Sequence, residues 1–398
     1  MINTRYRTII QGIGQYLKIF SLTVIILNKT LFLSFMFKIL HKDKNARVGV
    51  LKTAHGSVET PFFMPVATKA TVKHASSEDL EEMRAKAIIS NAFVLYLSKG
   101  LDVIEKFKGI HKFMKFNGTI FTDCGGFQIL RESFIIKTSD DGILFKSPFD
   151  GRKILLTPEM IMDIESRVGS DVAMVLDDVA EYGSSFDDAK TRMERTHKWA
   201  EESIKAHKNK KQLLFGISQG GFSEKLREES ATFINGLKLD GVAIGGLRIG
   251  EPTEVMHKML ECSIKNIDEN KPRYLMGVGK PEDIVESVSR GVDVFDSIYP
   301  TQNARHGTIF TSKGRLRIRN SGYKFDKKPL DEDCDCYVCK RFSRAYINYL
   351  MRINEHVYMR YTTYHNLYFL QRLMENIRKA IKEGKFNEFK REFLKAYK

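Results

Sequence analysis

Hydrophobic residues fall into two alternating patterns from about residue 84 onward. Short, mostly apolar runs are typical of buried strands, and they lie at residues 87–90, 119–123, 172–178, 213–218, 241–246, 274–279 and 292–297. Longer stretches with helical periodicity lie between them, at residues 158–168, 186–207, 222–236, 253–266 and 281–290. This alternation predicts an α/β fold with a parallel sheet, either a barrel or a doubly wound sheet.

Polar residues or glycines follow nearly every predicted strand, at residues 123–126, 177–178, 218–221, 245–247, 277–279 and 296–297. Functional groups at the carboxyl ends of many successive strands are typical of the catalytic face of a (β/α)8 barrel. A doubly wound sheet would instead concentrate them at one crevice. We therefore expect a (β/α)8 TIM barrel.

The first 35 residues form a separate apolar segment. Its apolar runs, 19–28 and 31–37, are interrupted by Lys29, so neither reaches the roughly 18 residues expected of a membrane-spanning helix. No small-residue cleavage site follows, as a signal peptide would require. We interpret residues 1–35 as an extension with a mis-assigned start, expect Met36 to open the protein, and expect no membrane association.

Residues 36–398 are expected to form one domain, because no internal repeat or low-complexity linker divides them. A subdomain is expected at about 315–370, followed by a basic helix at 371–398. The alternating segment that opens this subdomain predicts a strand with three arginines on one face, namely Arg315, Arg317 and Arg319.

Composition changes this picture by adding a class of partner. The 398 residues, 42% of them hydrophobic, suffice for a full core. The chain has 64 Lys and Arg against 49 Asp and Glu, a formal charge of +15. Such a balance favours a polyanion, with nucleic acid ahead of an acidic membrane, although lysines that only solubilise the surface give the same balance.

Cysteine spacing indicates a metal site. Of five cysteines, Cys334, Cys336 and Cys339 crowd into six residues, and His365 follows 26 residues later. Three thiolates and one imidazole make a closed tetrahedral set, which predicts one structural Zn²⁺ per chain. An odd, clustered set of cysteines also argues against secreted disulfides and favours the reducing cytoplasm.

Two aspartates at strand ends are candidates for catalysis. Asp123 and Asp296 would both point into one cavity of a barrel, and paired carboxylates are what substitution at a glycosidic carbon requires. Periodicity alone does not select them over Asp177, Asp178 or Asp293. The residues by themselves therefore indicate a barrel enzyme of glycosidase-like chemistry.

Longer motifs resemble those of tRNA-guanine transglycosylases, the queuine tRNA-ribosyltransferase family. They occur in the family's order between about residue 36 and residue 376. They are TPFFMPVATKATVK (60–73), FTDCGGFQIL (121–130), LLTPEMIMDIESRVGSD (155–171), FGISQGG (215–221), AIGGL (243–247), RYLMGVGKPEDI (273–284), FDSIYPTQNARHGTIFT (295–311) and HNLYFL (365–370).

This resemblance implies exchange of guanine 34 in GUN-anticodon tRNAs for queuine or its aminomethyl-deazaguanine precursor. Asp296 corresponds to the nucleophile that forms a covalent ribosyl intermediate, and Asp123 to the general acid/base. The implied base-binding residues are Asp177, Gln219, the backbone of Gly246 and Leu247, and a sandwich of Phe127 and Met276.

The resemblance also bears on partners. Gln302 and Arg305 match positions that contact the tRNA anticodon loop, and the three arginines named above are natural phosphate contacts. A homodimer is implied as well.

Four positions depart from the family's pattern. Val179 resembles queuine-using eukaryotic enzymes, whereas Ile249 is bulkier than the glycine those enzymes carry, so the choice of base stays open. Gln302 replaces a common arginine, which predicts altered loop recognition. Cys124 replaces a common serine.

Two alternatives within this fold remain. One is an archaeal-type enzyme acting on the tRNA D-loop, but such proteins carry a C-terminal RNA-binding extension and this chain ends at residue 398. The other is a non-catalytic tRNA-binding partner subunit, against which the retention of Asp123 and Asp296 argues. A plain barrel glycosidase would need neither the cysteine cluster nor the basic surface.

Overall fold

The computed structural model describes residues 36–125 and 134–397, in which sixteen strands and fourteen α-helices occur. The strands are β1 (Phe37–Asp43), β2 (Ala46–Thr53), β3 (Gly56–Thr60), β4 (Phe62–Pro65), β5 (Ala87–Asn91), β6 (Thr119–Asp123), β7 (Ile135–Ser139), β8 (Gly142–Lys146), β9 (Lys153–Leu156), β10 (Val172–Met174), β11 (Leu213–Ser218), β12 (Gly241–Ile244), β13 (Arg273–Leu275), β14 (Val294–Ser297), β15 (Thr308–Thr311) and β16 (Gly314–Arg317).

The helices are α1 (Ser77–Glu82), α2 (Ala92–Leu97), α3 (Leu101–Lys106), α4 (Ile110–Met114), α5 (Pro158–Val168), α6 (Phe186–Ala206), α7 (Glu224–Gly236), α8 (Thr253–Ile264), α9 (Pro281–Val288), α10 (Tyr299–Arg305), α11 (Tyr337–Arg341), α12 (Arg344–Arg352), α13 (Val357–Lys382) and α14 (Phe386–Ala396). None of these helices is long and apolar enough to span a membrane.

Eight strands form one parallel sheet that closes on itself. Around it the order is β4, β5, β6, β10, β11, β12, β13 and β14, so each strand neighbours its predecessor in the chain. Strand β14 returns to pair with β4, with Asp296 opposite Met64. Strand β5 meets β4 through a bridge between Val66 and Ile89. The predicted (β/α)8 barrel is therefore confirmed.

Aromatic rings fill the centre of the barrel. The ring of Phe121 on β6 meets those of Phe62, Phe215 and Tyr274 edge to face, at centroid distances of 6.2, 5.6 and 6.0 Å. These residues come from strands β4, β11 and β13, which are not neighbours of β6, so the contacts cross the interior. The barrel is thus a packed core, and its chemistry is left to the strand ends.

Two insertions interrupt the barrel repeat. A three-stranded antiparallel sheet, β7 to β9, lies between β6 and α5. The second insertion runs from α10 to α12 and includes the β15–β16 hairpin and the cysteine cluster, after which α13 returns to pack on β1, β2 and β4. The N-terminal sheet of β1, β2 and β3 was not predicted from the sequence, nor were β7 to β9.

Helix starts follow the expected local chemistry. Helix α5 begins at Pro158, as predicted, and the Thr157 hydroxyl accepts a hydrogen bond from the Met160 N–H (3.2 Å). Proline at this position loses nothing, since its missing N–H would lack a helical partner. The Ser223 hydroxyl caps α7 in the same way, accepting from the Leu226 N–H.

Several predicted strands are shorter than expected. Predicted strands 172–178, 241–246, 274–279 and 292–297 are observed as 172–174, 241–244, 273–275 and 294–297. The chain leaves the sheet at left-handed glycines such as Gly246 (φ +67°) and Gly277 (φ +75°), which turn the backbone toward the strand-end cavity. Strand β4 was missed because prolines 61 and 65 bracket a short apolar run, and proline is usually excluded from central strands.

A carboxylate joins three elements at the amino-terminal end of the barrel. Asp171, fully buried just before β10, accepts hydrogen bonds from the His55 N–H (3.0 Å) and His55 Nδ1 (2.9 Å) in the β2–β3 turn. It also accepts from His111 Nε2 (2.9 Å) on α4 and from the Ile120 N–H (2.9 Å) on β6. Burial acts to raise the pKa of Asp171, but these hydrogen bonds outweigh burial and lower it.

Asp171→Asn is expected to reduce the free energy of unfolding by about 2–3 kcal/mol at pH 7, because an amide leaves buried donors unpaired. Since the native pKa lies below the unfolded one, the difference from the parent protein should persist above roughly pH 4 and vanish as the pH falls further. Urea unfolding across pH measures both effects. Asp163→Asn, on the exposed face of α5, is the control and should cost under about 0.5 kcal/mol. Equal losses in the two variants would contradict this role.

Candidate active site and metal centre

The carboxyl ends of the barrel strands surround a cavity of about 640 Å³. Asp123, at the end of β6, and Asp177, beyond β10, line it. Asp296, on β14, does not line the cavity itself but adjoins two residues that do: it precedes Ser297 in the chain and accepts a hydrogen bond from the Gly277 N–H. All three carboxylates are buried, with exposures of 7%, 7% and 1% respectively. The structure therefore brings together the two predicted catalytic aspartates and one predicted base-binding residue.

Asp296 is held by one of its two oxygens. Its Oδ1 accepts hydrogen bonds from the Tyr274 hydroxyl (2.6 Å) and the Gly277 N–H (2.9 Å). Within the described residues its buried Oδ2 has no hydrogen-bond partner. Burial raises the pKa of Asp296, and the hydrogen bonds from Gly277 and Tyr274 oppose that rise. The arrangement fixes the carboxylate and leaves one oxygen lone pair available.

Asp123 has the pKa of a group that can exchange protons near neutral pH. Burial raises this pKa to about 7, and the neighbouring carboxylates of Asp177 and Asp296 push it in the same direction. Hydrogen bonds from Gly125 and Cys124 oppose the rise. A general acid/base works best when its pKa lies close to the working pH.

Asp177 forms a polar edge with a neighbouring amide. Gln219 Nε2, beyond β11, donates to Asp177 Oδ2 (2.6 Å), and Cys124 Sγ lies 3.7 Å from Oδ1. Burial raises the pKa of Asp177 to about 6, and Gln219 counters this in part. In the described chain Gln219 Oε1 is buried without a partner. The pair offers acceptor groups to a ligand in the cavity.

Two aspartates that periodicity left as alternatives are engaged elsewhere. Asp178 forms ion pairs with Arg192 (3.0 Å) and Arg195 on α6. Asp293 forms a buried ion pair with Arg47 and accepts from the Arg273 N–H (2.8 Å), at the amino-terminal end of β13. Neither has a free carboxylate to offer the cavity.

Small and apolar groups make up much of the remaining wall. Predicted residues Gly246, Leu247 and Met276 line the cavity, as do Val179 and Ile249. Gly246 has no room for a side chain, because a Cβ there would lie 2.5 Å from Gln219 Oε1. Phe127, predicted to stack on a base, lies outside the described residues.

The predicted RNA-binding residues divide into two groups. Arg305 lines the cavity with Lys69 and Lys73, and Gln302 lies exposed nearby on α10. The arginine segment is only partly a strand, because β16 ends at Arg317 and Arg319 follows in a turn.

Arg315 differs from its two neighbours in this segment. Its guanidinium pairs with Glu282 and lies over the Tyr397 ring, 5.3 Å from its centroid. Arg317 and Arg319 are exposed. The expectation of one strand with all three arginines on one face is therefore wrong for Arg319, because β16 ends at Arg317.

The predicted metal ligands form one cluster. The sulfurs of Cys334, Cys336 and Cys339 lie 3.8, 3.6 and 3.3 Å from His365 Nδ1. His365 Nε2 lies 2.8 Å from the Phe310 carbonyl oxygen, so the Nε2–H donates there and the Nδ1 lone pair faces the sulfurs. All four ligand atoms lie within 4.8 Å of one another, and together they could hold a metal ion.

Comparison with known proteins agrees with this geometry. The profile of the queuine tRNA-ribosyltransferase family matches residues 42–398. A queuine tRNA-ribosyltransferase of Thermoanaerobacter sp. (strain X514) is 49% identical over 364 residues, covering 91% of this chain and 97% of the relative. One from Halothermothrix orenii is 47% identical over 367 residues, covering 92% and 98%. The chain belongs to the queuine tRNA-ribosyltransferase family. It is accordingly an enzyme of the pentosyltransferase class.

The roles of three residues at this site were not predicted from the sequence. Tyr274 and Gly277 hold Asp296, and Arg227 donates to the Gly221, Gly245 and Gly246 carbonyls. In the sequence, Tyr274 resembles any apolar residue of a strand, and Arg227 resembles the other charged residues of an amphipathic helix. Their roles depend on contacts between different secondary-structure elements and loops, which periodicity does not reveal.

Asp177→Asn is expected to lower the pKa of Asp123 below about 7, because the variant removes a carboxylate that repels the Asp123 anion. Carbon-13 NMR titration of labelled aspartates measures this midpoint. Asp163→Asn on α5 is the control and should leave the midpoint unchanged. An Asp123 midpoint unaffected by Asp177→Asn would show that the two groups do not interact.

Proposed function

We propose that the chain is a tRNA-guanine transglycosylase that exchanges guanine 34 of GUN-anticodon tRNAs for queuine or its aminomethyl-deazaguanine precursor. The observation that carries the proposal is the set of buried carboxylates around one cavity, with Asp296 fixed through Oδ1 and Asp123 raised to a pKa of about 7. Family membership supports the choice of tRNA and of a guanine-type base.

In the first half-reaction Asp296 acts as the nucleophile. Its Oδ2 attacks C1′ of the target ribose, an O–C1′ bond forms, and the C1′–N9 bond to guanine breaks with its electron pair going to the base. The Tyr274 hydroxyl and Gly277 N–H hold Oδ1, so the attacking oxygen keeps one orientation. The product is a ribosyl ester of Asp296 and free guanine.

Asp123 handles the protons of both bases. A carboxyl with a pKa of about 7 is present in both protonation states at neutral pH, so it can protonate the departing guanine and then deprotonate the incoming base. The incoming base attacks C1′, the ester bond breaks, and the Asp296 carboxylate is regenerated. The buried setting of these carboxylates supports exchange over hydrolysis, since water must be excluded while the ester exists.

Base recognition is assigned to the Asp177–Gln219 edge and to the backbone of Gly246 and Leu247. A carboxylate and a carboxamide match the donor and acceptor edge of a guanine-like base. Met276 supplies one stacking face, and Phe127 is proposed for the other. Val179 and Ile249 lie on the same wall and are proposed to limit the substituent that a deazaguanine base carries.

The tRNA is proposed to contact the cationic rim of the cavity. Lys69, Lys73 and Arg305 line the cavity, which supports phosphate or base contacts where the anticodon loop would enter. Gln302 and Arg305 are proposed to contact the loop bases, and Arg317 and Arg319 phosphates farther away. Arg315 is proposed to contact tRNA only when a phosphate replaces Glu282 as its ion-pair partner.

A homodimer and a cytoplasmic location are also proposed. Helix α12 carries two exposed aromatic residues, Tyr346 (41% exposed) and Tyr349 (58%), and Ile353 (53%) lies just past its end. The spacing of these three residues places them on one helical face. An apolar face of this kind supports contact with a second copy of the chain.

The Cys334, Cys336, Cys339 and His365 cluster is proposed to bind one structural Zn²⁺. Three sulfurs and one oriented imidazole nitrogen fit the tetrahedral donor set that zinc prefers, with no position left for water. Bound zinc would supply a cross-link between α11 and α13. The four ligand residues would then have a structural role and take no part in the exchange reaction.

Asp296→Ala is expected to abolish the covalent tRNA adduct, because no oxygen remains to attack C1′. Denaturing gel electrophoresis of enzyme trapped with radiolabelled tRNA measures the adduct. Asp163→Asn serves as a control and should form it at the parent level. A denaturation-resistant adduct surviving in Asp296→Ala would overturn the assignment of the nucleophile.

Cys336→Ser is expected to reduce the bound zinc and to lower the Tm by roughly 5–10 °C, because loss of one ligand uncouples α11 from α13. Metal analysis and calorimetry measure the two effects. Cys262→Ser, on α8 outside the cluster, should retain zinc and shift the Tm by less than roughly 3 °C. Absence of zinc from the parent protein, or equal effects of both changes, would argue against a structural zinc.

A further inference from the structure

Arg227, on α7, is a fully buried arginine whose guanidinium donates only to backbone carbonyls among the described residues. Its Nε donates to the Gly221 oxygen (2.7 Å), Nη1 to the Gly245 oxygen (2.7 Å) and Nη2 to the Gly246 oxygen (3.2 Å). Burying a cation without a carboxylate in hydrogen-bond contact is costly. Burial lowers the pKa of Arg227 only to about 10, so the cation persists at neutral pH.

The three carbonyls belong to two loops at the carboxyl ends of β11 and β12. Gly221 lies two residues beyond Gln219, and Gly245 and Gly246 follow β12. Gly245 and Gly246 line the cavity. Arg227 thus ties the loop that carries Gln219 to the loop that carries Leu247, from the side away from the cavity.

Peptide geometry converts these hydrogen bonds into an orientation of N–H groups. In a planar trans peptide, the C=O of one residue and the N–H of the next point in opposite directions. Because Arg227 holds the Gly245 and Gly246 carbonyls on its own side, the N–H groups of Gly246 and Leu247 point to the opposite side, where the cavity lies. In the described chain neither N–H donates to another protein group.

We propose that Arg227 is a positioning residue, which aims the Gly246 and Leu247 N–H groups at the oxo oxygen of the exchanged base and selects a 6-oxo purine. The proposal rests on the proposed function and deepens it. A cation bonded to the carbonyl oxygens also polarises both peptides, which strengthens their N–H donors in a low-dielectric site.

The glycines around Arg227 suit this arrangement. A Cβ at Gly245 would lie 2.4 Å from Gln219 Nε2, and one at Gly246 would lie 2.5 Å from Gln219 Oε1. Absence of side chains lets the Gln219 amide pack against the same peptides whose N–H groups face the cavity. One compact wall then presents the oxo-binding donors beside the Asp177–Gln219 edge.

The test compares affinities of three free bases for the full-length enzyme by isothermal titration calorimetry. Guanine and 6-thioguanine differ at the 6-position acceptor, whereas guanine and hypoxanthine differ only at the 2-amino group. In the parent protein we expect guanine to bind roughly tenfold more tightly than 6-thioguanine. Arg227→Met should reduce that ratio to about twofold, while the guanine-to-hypoxanthine ratio stays within about twofold of the parent value.

Arg227→Lys keeps the charge but cannot span three carbonyls, so its ratio of guanine affinity to 6-thioguanine affinity should lie between those of the parent and Arg227→Met. If Arg227→Met fails to fold, Arg227→Lys alone tests the proposal. Arg290→Met, which removes ion pairs with Glu261 and Glu286 on the barrel exterior, is the matched control and should change neither ratio. If the guanine-to-thioguanine and guanine-to-hypoxanthine affinity ratios fall equally in the Arg227 variants, the pocket is generally disordered and the proposal is overturned. An unchanged thioguanine ratio would overturn it as well.

The outcome is separable from that of the proposed function. Radiolabelled guanine exchange into tRNA tests the transglycosylase reaction, whereas the base ratios require no tRNA. A parent enzyme that exchanges guanine but does not discriminate the 6-position would refute the role of Arg227 alone. If the parent enzyme does not exchange guanine, but Arg227→Met still reduces the preference for guanine over 6-thioguanine, the proposed function is refuted and the positioning role is supported.

Discussion

Burial of Asp123, Asp177 and Asp296 around one cavity is the constraint on which the site depends. Carboxylates lose hydration when buried, so the pKa of all three rises. The Asp177 and Asp296 carboxylates also repel the Asp123 anion, which raises the pKa of Asp123 further. The protein limits this cost with few donors: the Tyr274 hydroxyl and Gly277 N–H for Asp296, and the Gln219 amide for Asp177. These hydrogen bonds compensate only part of the cost of burial, so the pKa of Asp123 stays at about 7 and the group can exchange protons near neutral pH.

The barrel treats the same residue type differently at its two ends. At the amino-terminal end Asp171 accepts four hydrogen bonds and Asp293 is paired with Arg47, so both are fully compensated and structural. At the carboxyl-terminal end the chain leaves the sheet at left-handed glycines such as Gly246 and Gly277. Within the described residues, Asp296 Oδ2 and Gln219 Oε1 are buried there without a hydrogen-bond partner. Unused hydrogen-bonding capacity therefore accumulates at one end, where a ligand can use it.

The sequence was informative where one element carried the signal. Helix α5 and strand β6 have the predicted bounds, and the cysteine spacing identified the cluster around His365 before its geometry was known. Periodicity could not separate Asp296 from Asp178 or Asp293, because ion pairing with arginines from α6 or β2 decides which carboxylates are free. Tyr274 and Arg227 were missed for a similar reason: each acts on groups of other elements, 22 residues away for Tyr274 and Asp296 and 18 residues away for Arg227 and Gly245.

The cysteine cluster and the cavity wall at Arg305 are joined through α13. His365 and Asn366, successive residues of this helix, hold the Phe310 carbonyl and N–H of β15. One and two turns earlier on α13, the Thr362 and Tyr358 hydroxyls donate to the Ala304 and Arg305 carbonyls of α10. Helix α10 carries Arg305 to the cavity. A cross-link that fixes α13 therefore also fixes the position of a cation at the cavity entrance, although no ligand of the cluster reaches the cavity.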